Sequence, residues 1–536
     1  MCRGGTIVEA GYAESLTDGR VFPVIPLSAS TSCHVDRWIA AGGPQRLLTF
    51  APRGFRFIEV HIAAAPTDVI SLQAEGLQRT RYGESAATFH CSDARLNDIW
   101  RLGADTLRAC AEDALIDTPT RERGQWIGDA AVIGMEVLGV TFGDLELVRR
   151  GLQQASYRRR HDGLAAGLCP GQEAYLTTYA LYWIDGCFRY ARLTGDNSLL
   201  EECYETAART IDYFFAHMTP RGTLPSADTW DFIDWGHAVA PGEINVSLNL
   251  TLLNTLGQMA AWEQARGLHD NAKKRREQRE QIGRIVAQHY RSADGLLAKS
   301  VPAEALSSPE TRQAGYHATV LGLLYGLFNE DTKTRAVAFI KRHMLSCFPN
   351  DPDAPRLAHP SADHERLITP SFSHFSLQAL WEAGGRQTLC WSSTGRAGGW
   401  MLDQGVTTLL EVFDTRWSHC HAWSASPTWQ LSRYSLGLIP EPGGDLWRYR
   451  LRFQPGTLAY ASGSVPLLAD KGMLHVKWKR IAPGQWEYEL RADRPIRVSL
   501  EGARAIRHMV LDGEETAPNT LLEVQERLVL KYTDVK

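Results

Sequence analysis

The sequence predicts a multidomain, mainly α protein, a barrel of helical hairpins flanked by an N-terminal β-rich unit and a C-terminal β-sandwich. Three observations predict it. Apolar residues recur at helical spacing from Ser92 to about residue 438, with no strand alternation between helices, which argues against a βα barrel. Before Ser92 the chain is β-rich and irregular, and after Pro440 the period falls to two. At 536 residues, 44% hydrophobic and 22% charged, it is long enough for several domains, each with an ordinary core. The boundaries fall at 1–88, 89–438 and 439–536.

In the first unit, Phe55-Arg-Phe-Ile-Glu-Val-His-Ile62 and Thr67-Asp-Val-Ile-Ser-Leu72 read as strands bounded by Pro52, Gly54 and Pro66. Ser92 is the expected cap of the first helix, which carries Leu96, Ile99, Trp100, Gly103, Leu107 and Cys110 on one face. Asp196 caps a helix with Leu199, Leu200, Cys203, Ala207, Ile211 and Phe214. Leu248, Leu252, Leu256 and Met259 mark another, and Val320, Leu321, Leu324 and Phe328 a third. The basic run Lys273-Lys-Arg-Arg276 reads as a solvated helix face. Beyond Pro440, Leu474, Val476 and Trp478 alternate with polar residues, Ala482-Pro-Gly484 turns the chain, and Trp486, Tyr488 and Leu490 alternate back. Arg497–Leu500 and Leu528–Tyr532 add strands to a sandwich-sized tail.

Composition excludes several classes. The formal charge of -4 gives no field that would draw the chain to nucleic acid or anionic lipid. No apolar run is long enough to span a bilayer, and the start, Met-Cys-Arg-Gly-Gly-Thr, lacks a signal-peptide apolar region, so a cytoplasmic address is expected. The ten cysteines form no Cys-x-x-Cys pair and read mostly as reduced core thiols. Gly-x-Ser-x-Gly, His-Glu-x-x-His and phosphate-loop motifs are missing, and His419-Cys-His421 is too close-set for a zinc site, so neither a metal nor another cofactor is expected. A homodimer is the one assembly left open.

The chemistry concentrates in Asp117-Thr-Pro-Thr-Arg-Glu-Arg-Gly-Gln-Trp-Ile-Gly-Asp129. Here Pro119 and Gly124 break regular structure, and carboxylates crowd beside a guanidinium and an indole. Asp accepts pairs of sugar hydroxyls, Arg donates to others, and Trp stacks on a pyranose face. Sixteen tryptophans suit such a role, although most will be core. Glycoside cleavage needs two opposed carboxyls. Glu122 is the candidate proton donor. Glu411, preceded by Gly405-Val-Thr-Thr-Leu-Leu and followed by Arg416-Trp-Ser-His-Cys-His-Ala-Trp-Ser424, is the candidate base, a weak signal taken alone. If Arg121 and Arg123 both pointed at Glu122, they would hold it ionised and oppose the acid role.

Asp117-Thr-Pro-x-Arg-Glu122-x6-Asp129, with Trp126 inside it, resembles the acid-bearing signature of the bacterial α-L-rhamnosidases, the six-hairpin glycosidases of glycoside hydrolase family 78. Gly405-x-Thr-Thr-x-x-Glu411 resembles their base-bearing signature. The resemblance runs from about Gly43 to the end and includes Asp234-Trp235 and Thr369-Pro370. Leu410 stands where many relatives carry Trp, and Arg121 where many carry Asp. The resemblance implies an (α/α)6 barrel releasing terminal α-L-rhamnose with inversion, Glu122 as general acid and Glu411 as general base through water. It also implies Asp117, Arg121, Asp129 and His421 as polar sugar contacts, and Trp126, Trp183 and Trp235 as apolar walls. The implied partner is a small rhamnosylated glycoside or oligosaccharide. Three other readings remain open: a helical-barrel glycosidase for another terminal sugar, a polysaccharide lyase working through Tyr, His or Lys, and an inactive sugar-binding barrel.

Overall fold

The computed structural model describes residues 3–25, 32–63, 71–171, 174–220, 222, 224–225, 229–240, 242–303, 312–383, 397–441, 446–468, 472–501, 506–515 and 521–533. It contains a large helical unit with β-units on either side. The first helix, Ala94–Cys110, is capped by Asp93, whose Oδ1 accepts from the N–H groups of Arg95 and Leu96, and not by Ser92. The Ser92 hydroxyl instead accepts from Ala459 N–H, tying the helix start to the C-terminal unit.

Two kinds of helix follow, and their sequences say why. Val246–Ala265 and Tyr316–Leu324 are buried on almost every side, with polar residues such as Asn249, Thr251 and Thr255 buried among the apolar ones, as in helices enclosed by others. His269–His289 is polar with one narrow buried stripe, and it packs outside Val246–Ala265. Within its basic run, Lys273, Lys274 and Arg276 are exposed. Arg275 is buried against Glu263 (3.3 Å), a correction to the solvated-face expectation, because its guanidinium reaches a carboxylate inside the outer layer. The enclosed helices contact one another in sequence: Met135–Thr141 and the π-helical turn before it, then Thr177–Thr194, Val246–Ala265, Tyr316–Leu324, Pro370–Glu382 and Ser426–Gln430. The last packs back on Met135–Thr141, so the contacts return to their start.

In the N-terminal unit, Ile7–Ala13 is the centre of a three-stranded antiparallel sheet between Val35–Ile39 and Phe57–Ala63. The expected strand at 67–72 lies outside the described residues over 67–70, and 71–72 are not in a strand. The C-terminal unit pairs a four-stranded with a seven-stranded sheet. Its hairpin Met473–Ala482/Gln485–Ala492 turns in Ala482-Pro-Gly484, as the alternation predicts, and buries Trp478, Tyr488 and Leu490. The edge strand of the larger sheet is Thr88–Cys91, which precedes the first helix and pairs with Tyr460–Pro466. The chain therefore passes through this sheet before the helical unit begins. Of the eight described cysteines, seven are buried and Cys33 is exposed. Among the described residues no helix is long and apolar enough to cross a membrane.

Candidate active site

The first helix stops at Cys110, and residues 111–126 form an irregular loop in which Arg123 takes a positive φ of 54°. Asp117 knots this loop. Its Oδ1 accepts from Gly124 N–H (2.8 Å), and its own N–H donates to the Gly124 carbonyl (2.9 Å). Asp129 then sits on the π-helical turn Gly128–Gly134. Such turns widen a helix locally and recur at functional sites.

A second irregular segment, 404–421, comes in from the far end of the helical unit. It folds on itself through Glu411 N–H to the Ser418 carbonyl (2.9 Å) and His421 N–H to the Leu409 carbonyl (3.0 Å). Two bonds lock it to the first loop: Ala422 N–H to the Asp117 carbonyl (2.9 Å) and Trp423 N–H to Asp129 Oδ1 (3.0 Å).

At this junction the Arg121 guanidinium joins both candidate carboxyls. Its Nη1 stands 2.6 Å from Glu122 Oε1, its Nη2 pairs with Glu411 Oε2, and its Nε donates to Ser418 Oγ (3.1 Å). Arg123 turns away, to Glu112 (2.7 Å) and the Pro119 carbonyl (3.0 Å), so only one of the two arginines touches Glu122. The environments of the carboxyls differ. The Glu122 side chain is 34% exposed and accepts from Trp126 Nε1 (2.9 Å), whereas Glu411 is 1% exposed.

Burial pushes the Glu411 carboxyl up, but the His421 imidazolium and Arg121 outweigh it and hold it down at about 2. Its Oε1 is buried without a hydrogen-bond partner. His421 lies 3.5 Å from Glu411 and 3.4 Å from Asp129. Burial would neutralise it, yet the two carboxylates raise it well above the ordinary histidine value. Asp117 moves the other way. Burial lifts it well above the usual carboxylate range, opposed by His421 and reinforced by Glu122 and Asp129, so it takes up the proton that crowded carboxylates cannot all lose.

Aromatic rings continue the wall. Trp126 meets Tyr179 edge-on (5.9 Å), Tyr179 meets Phe232 (5.9 Å), and Phe232 stacks on Trp423 (6.0 Å, 8°), whose Nε1 donates to the Glu411 carbonyl (2.8 Å). Trp235 packs on Phe232 (5.1 Å) and Trp417 (5.5 Å), with Trp230, 49% exposed, beside it (5.5 Å).

The structure thus gathers Asp117, Arg121, Glu122, Trp126, Asp129, Glu411 and His421 in one site, with Trp235 in the adjoining wall. Trp183 is placed elsewhere: it is fully enclosed, and its Nε1 donates to the Leu152 carbonyl (2.8 Å). The same helix presents Tyr179 to the site instead. Tyr179, Phe232, Trp423 and Ser418 went unmarked as site residues in the sequence, although Trp423 and Ser418 lie in the same short run as His421. His419 faces outward, with Nε2 on the Thr415 carbonyl (2.7 Å), so it shares no centre with His421.

Residues 84–346 match the family described as the bacterial alpha-L-rhamnosidase 6 hairpin glycosidase domain. Glu411 lies beyond the matched stretch and is joined to it by geometry. No curated protein matches the sequence. Among solved structures, the GH78 family rhamnosidase of Bacillus sp. GL1 is similar at TM-score 0.76 and 24% identity, over 94% of this chain and 51% of its own. The rhamnosidase from Klebsiella oxytoca with rhamnose bound gives 0.64 and 20%, over 81% and 83%. The alpha-L-rhamnosidase from Dictyoglumus thermophilum gives 0.75 and 17%, over 99% and 60%. The chain therefore spans about half the length of the Bacillus protein. At these identities the likeness establishes the fold.

Proposed function

The chain carries a bacterial α-L-rhamnosidase six-hairpin glycosidase domain, and from that premise we propose that it is an exo-acting glycoside hydrolase releasing terminal α-L-rhamnose with inversion. The observation that carries the reading is the Arg121 fork, which joins Glu122 and Glu411, 289 positions apart in the chain. In this reading residues 89–438 form an (α/α)6 barrel, supported by the ring of enclosed helices whose contacts close on themselves. Residues 1–88 and 439–536 are the flanking β-units.

Glu122, at the more open side, protonates the glycosidic oxygen. Glu411 is suited to the base role because it is held ionised, with Oε2 fixed by Arg121 and Oε1 left to receive a proton from water. The water attacks the anomeric carbon from the face opposite the departing oxygen. Glu122 Oε1 is engaged by Arg121 Nη1 at 2.6 Å, so the carboxyl is not free to reach a glycosidic oxygen. The mechanism therefore requires the sugar to draw the guanidinium away from Glu122 while Glu411 keeps it. Asp117 and Asp129 each hold a backbone N–H with Oδ1, and in this reading their carboxyls also receive sugar hydroxyls. Trp126 and Trp235 are the apolar walls.

Proton NMR of aryl α-L-rhamnoside hydrolysis tests this directly. The β-anomer of rhamnose should appear first. An α-anomer would exclude inversion, and no release would exclude rhamnose as the sugar.

A further inference from the structure

The N-terminal β-unit reaches the candidate active site through Glu14. Glu14 follows directly on Ala13, the last residue of the central strand Ile7–Ala13, and that strand is fixed on both sides by antiparallel pairing. Its carboxylate is divided between the two catalytic loops. Oε1 accepts from the Thr120 hydroxyl (2.7 Å), next to Arg121, and Oε2 accepts from the His419 N–H (3.0 Å), next to Ser418. Ser418 in turn holds Arg121 Nε and receives Glu411 N–H.

A second observation is independent of Glu14. Gly54, also from the N-terminal unit, lies so close to the first loop that a Cβ there would stand 2.6 Å from the Pro119 carbonyl carbon and 2.7 Å from Thr120 Oγ1. The unit is therefore seated on Pro119–Thr120 at two separate points.

We propose that Glu14 is a positioning residue of the catalytic pair: it ties the loop bearing Glu122 to the loop bearing Glu411, fixing the reach of the Arg121 fork between them. This rests on the hydrolase reading for its kinetic consequences, but not for the tie itself. Burial raises the Glu14 carboxyl, opposed by His419 and Thr120 and reinforced by the charge of Glu411, so the two carboxylates sense each other.

The test uses Glu14→Ala and Glu14→Gln in the full chain, with Gly54→Ala as a second route to the same disruption. Expected for Glu14→Ala is a 10- to 100-fold fall in kcat with KM changed less than about threefold, since a small misplacement of reacting groups acts on rate. Glu14→Gln, which keeps one acceptor, should recover part of it. The split between kcat and KM and the partial rescue by Glu14→Gln are the readouts that separate positioning from folding. Gly54→Ala should lower kcat in the same sense. A purely structural role would lower thermal stability while leaving kcat per folded molecule unchanged, and that result overturns the proposal. If the wild type releases no sugar, the hydrolase reading falls, and hydrogen exchange decides the tie. Faster exchange at 117–124 and 409–421 in Glu14→Ala supports it, and unchanged exchange in both segments overturns it.

Discussion

Glu411 and Asp234 are both buried carboxyls beside a histidine, yet they take opposite charge states. Burial raises both. Around Glu411 stand Arg121 and a protonated His421, and the carboxyl falls to about 2. Around Asp234 the help is neutral: the Thr369 hydroxyl and two backbone N–H groups lower it only partly, and it rises to about 8. Its neighbour His317, 3.1 Å away, is pressed by burial to about 3, so this pair shares one proton and no net charge. What separates the pockets is the guanidinium, together with Asp129, whose charge keeps His421 an imidazolium. The base role proposed for Glu411 requires a carboxylate that is ionised before substrate arrives. A neutral Asp234 suits a different task, accepting from Thr369 at the cap of Pro370–Glu382 and holding the backbone before Trp235.

The contrast breaks hardest in paired isosteric substitutions. Glu411→Gln should lower kcat about 10³- to 10⁴-fold on an aryl α-L-rhamnoside, toward the upper range for removing a general base. Asp234→Asn should stay within about threefold, since an amide reproduces both bonds of a protonated carboxyl, accepting from Thr369 and donating to His317. Steady-state kinetics of both, with circular dichroism as the check on folding, decides. Equal losses would mean that Asp234 is ionised. Glu122→Gln should come next, and its size should follow the leaving group: about 10²-fold or more for an alkyl glycoside and far less for a dinitrophenyl glycoside, which departs without a proton. A loss independent of the leaving group would remove Glu122 as the acid.

This comparison also marks what the sequence made legible. The first loop announces itself because Pro119, Gly124 and dense charge interrupt a helical pattern, and its spacing carries Glu122, Trp126 and Asp129 together. Glu411 follows apolar residues in a segment without periodicity, so local pattern alone reads it as a surface residue. Its burial comes from contacts with a loop nearly 300 positions earlier. Trp183 misleads for the opposite reason: it lies on the right helix, but whether Trp183 or Tyr179 meets the cleft depends on how that helix is rolled against its neighbours. Glu14 carries no signal, as Ala-Glu-Ser at a strand end is commonplace and both its partners are distant. The helices of the large helical unit and the closing hairpin are legible because their apolar spacing reports burial directly. The Asp93 cap was displaced by one position, since two capping residues stood side by side and tertiary pairing took Ser92.

Arg121→Met sharpens the comparison by making the Glu411 pocket more like that of Asp234. Without the guanidinium, His421 alone opposes burial, so the Glu411 carboxyl should rise and the acid limb of kcat/KM should move to higher pH. A kcat lower by about 10- to 100-fold is expected, from lost positioning as much as lost charge. An acid limb unmoved in Arg121→Met would show that His421 suffices to hold the base ionised.

The smallest effect lies in stability, where the two pockets should act at opposite ends of the pH scale. Glu411 drops from an ordinary 4.5 to about 2 on folding, so the unfolded chain binds its proton more readily. Its contribution is complete above pH 4.5 and is lost as pH falls through about 2, roughly 3 kcal/mol at most. Asp234 rises from 3.8 to about 8, so the folded chain binds that proton more readily. Its favourable contribution is complete below about pH 4 and drains away as pH rises through about 8. Chemical denaturation from pH 3 to 9 should therefore show Glu411→Gln flattening the acid side and Asp234→Asn flattening the alkaline side. The two changes should add in the double variant, provided the pockets do not couple through the Trp235–Trp417 contact. Should either variant flatten the wrong side, the charge state assigned to that carboxyl is reversed, and the functional contrast drawn from it goes too.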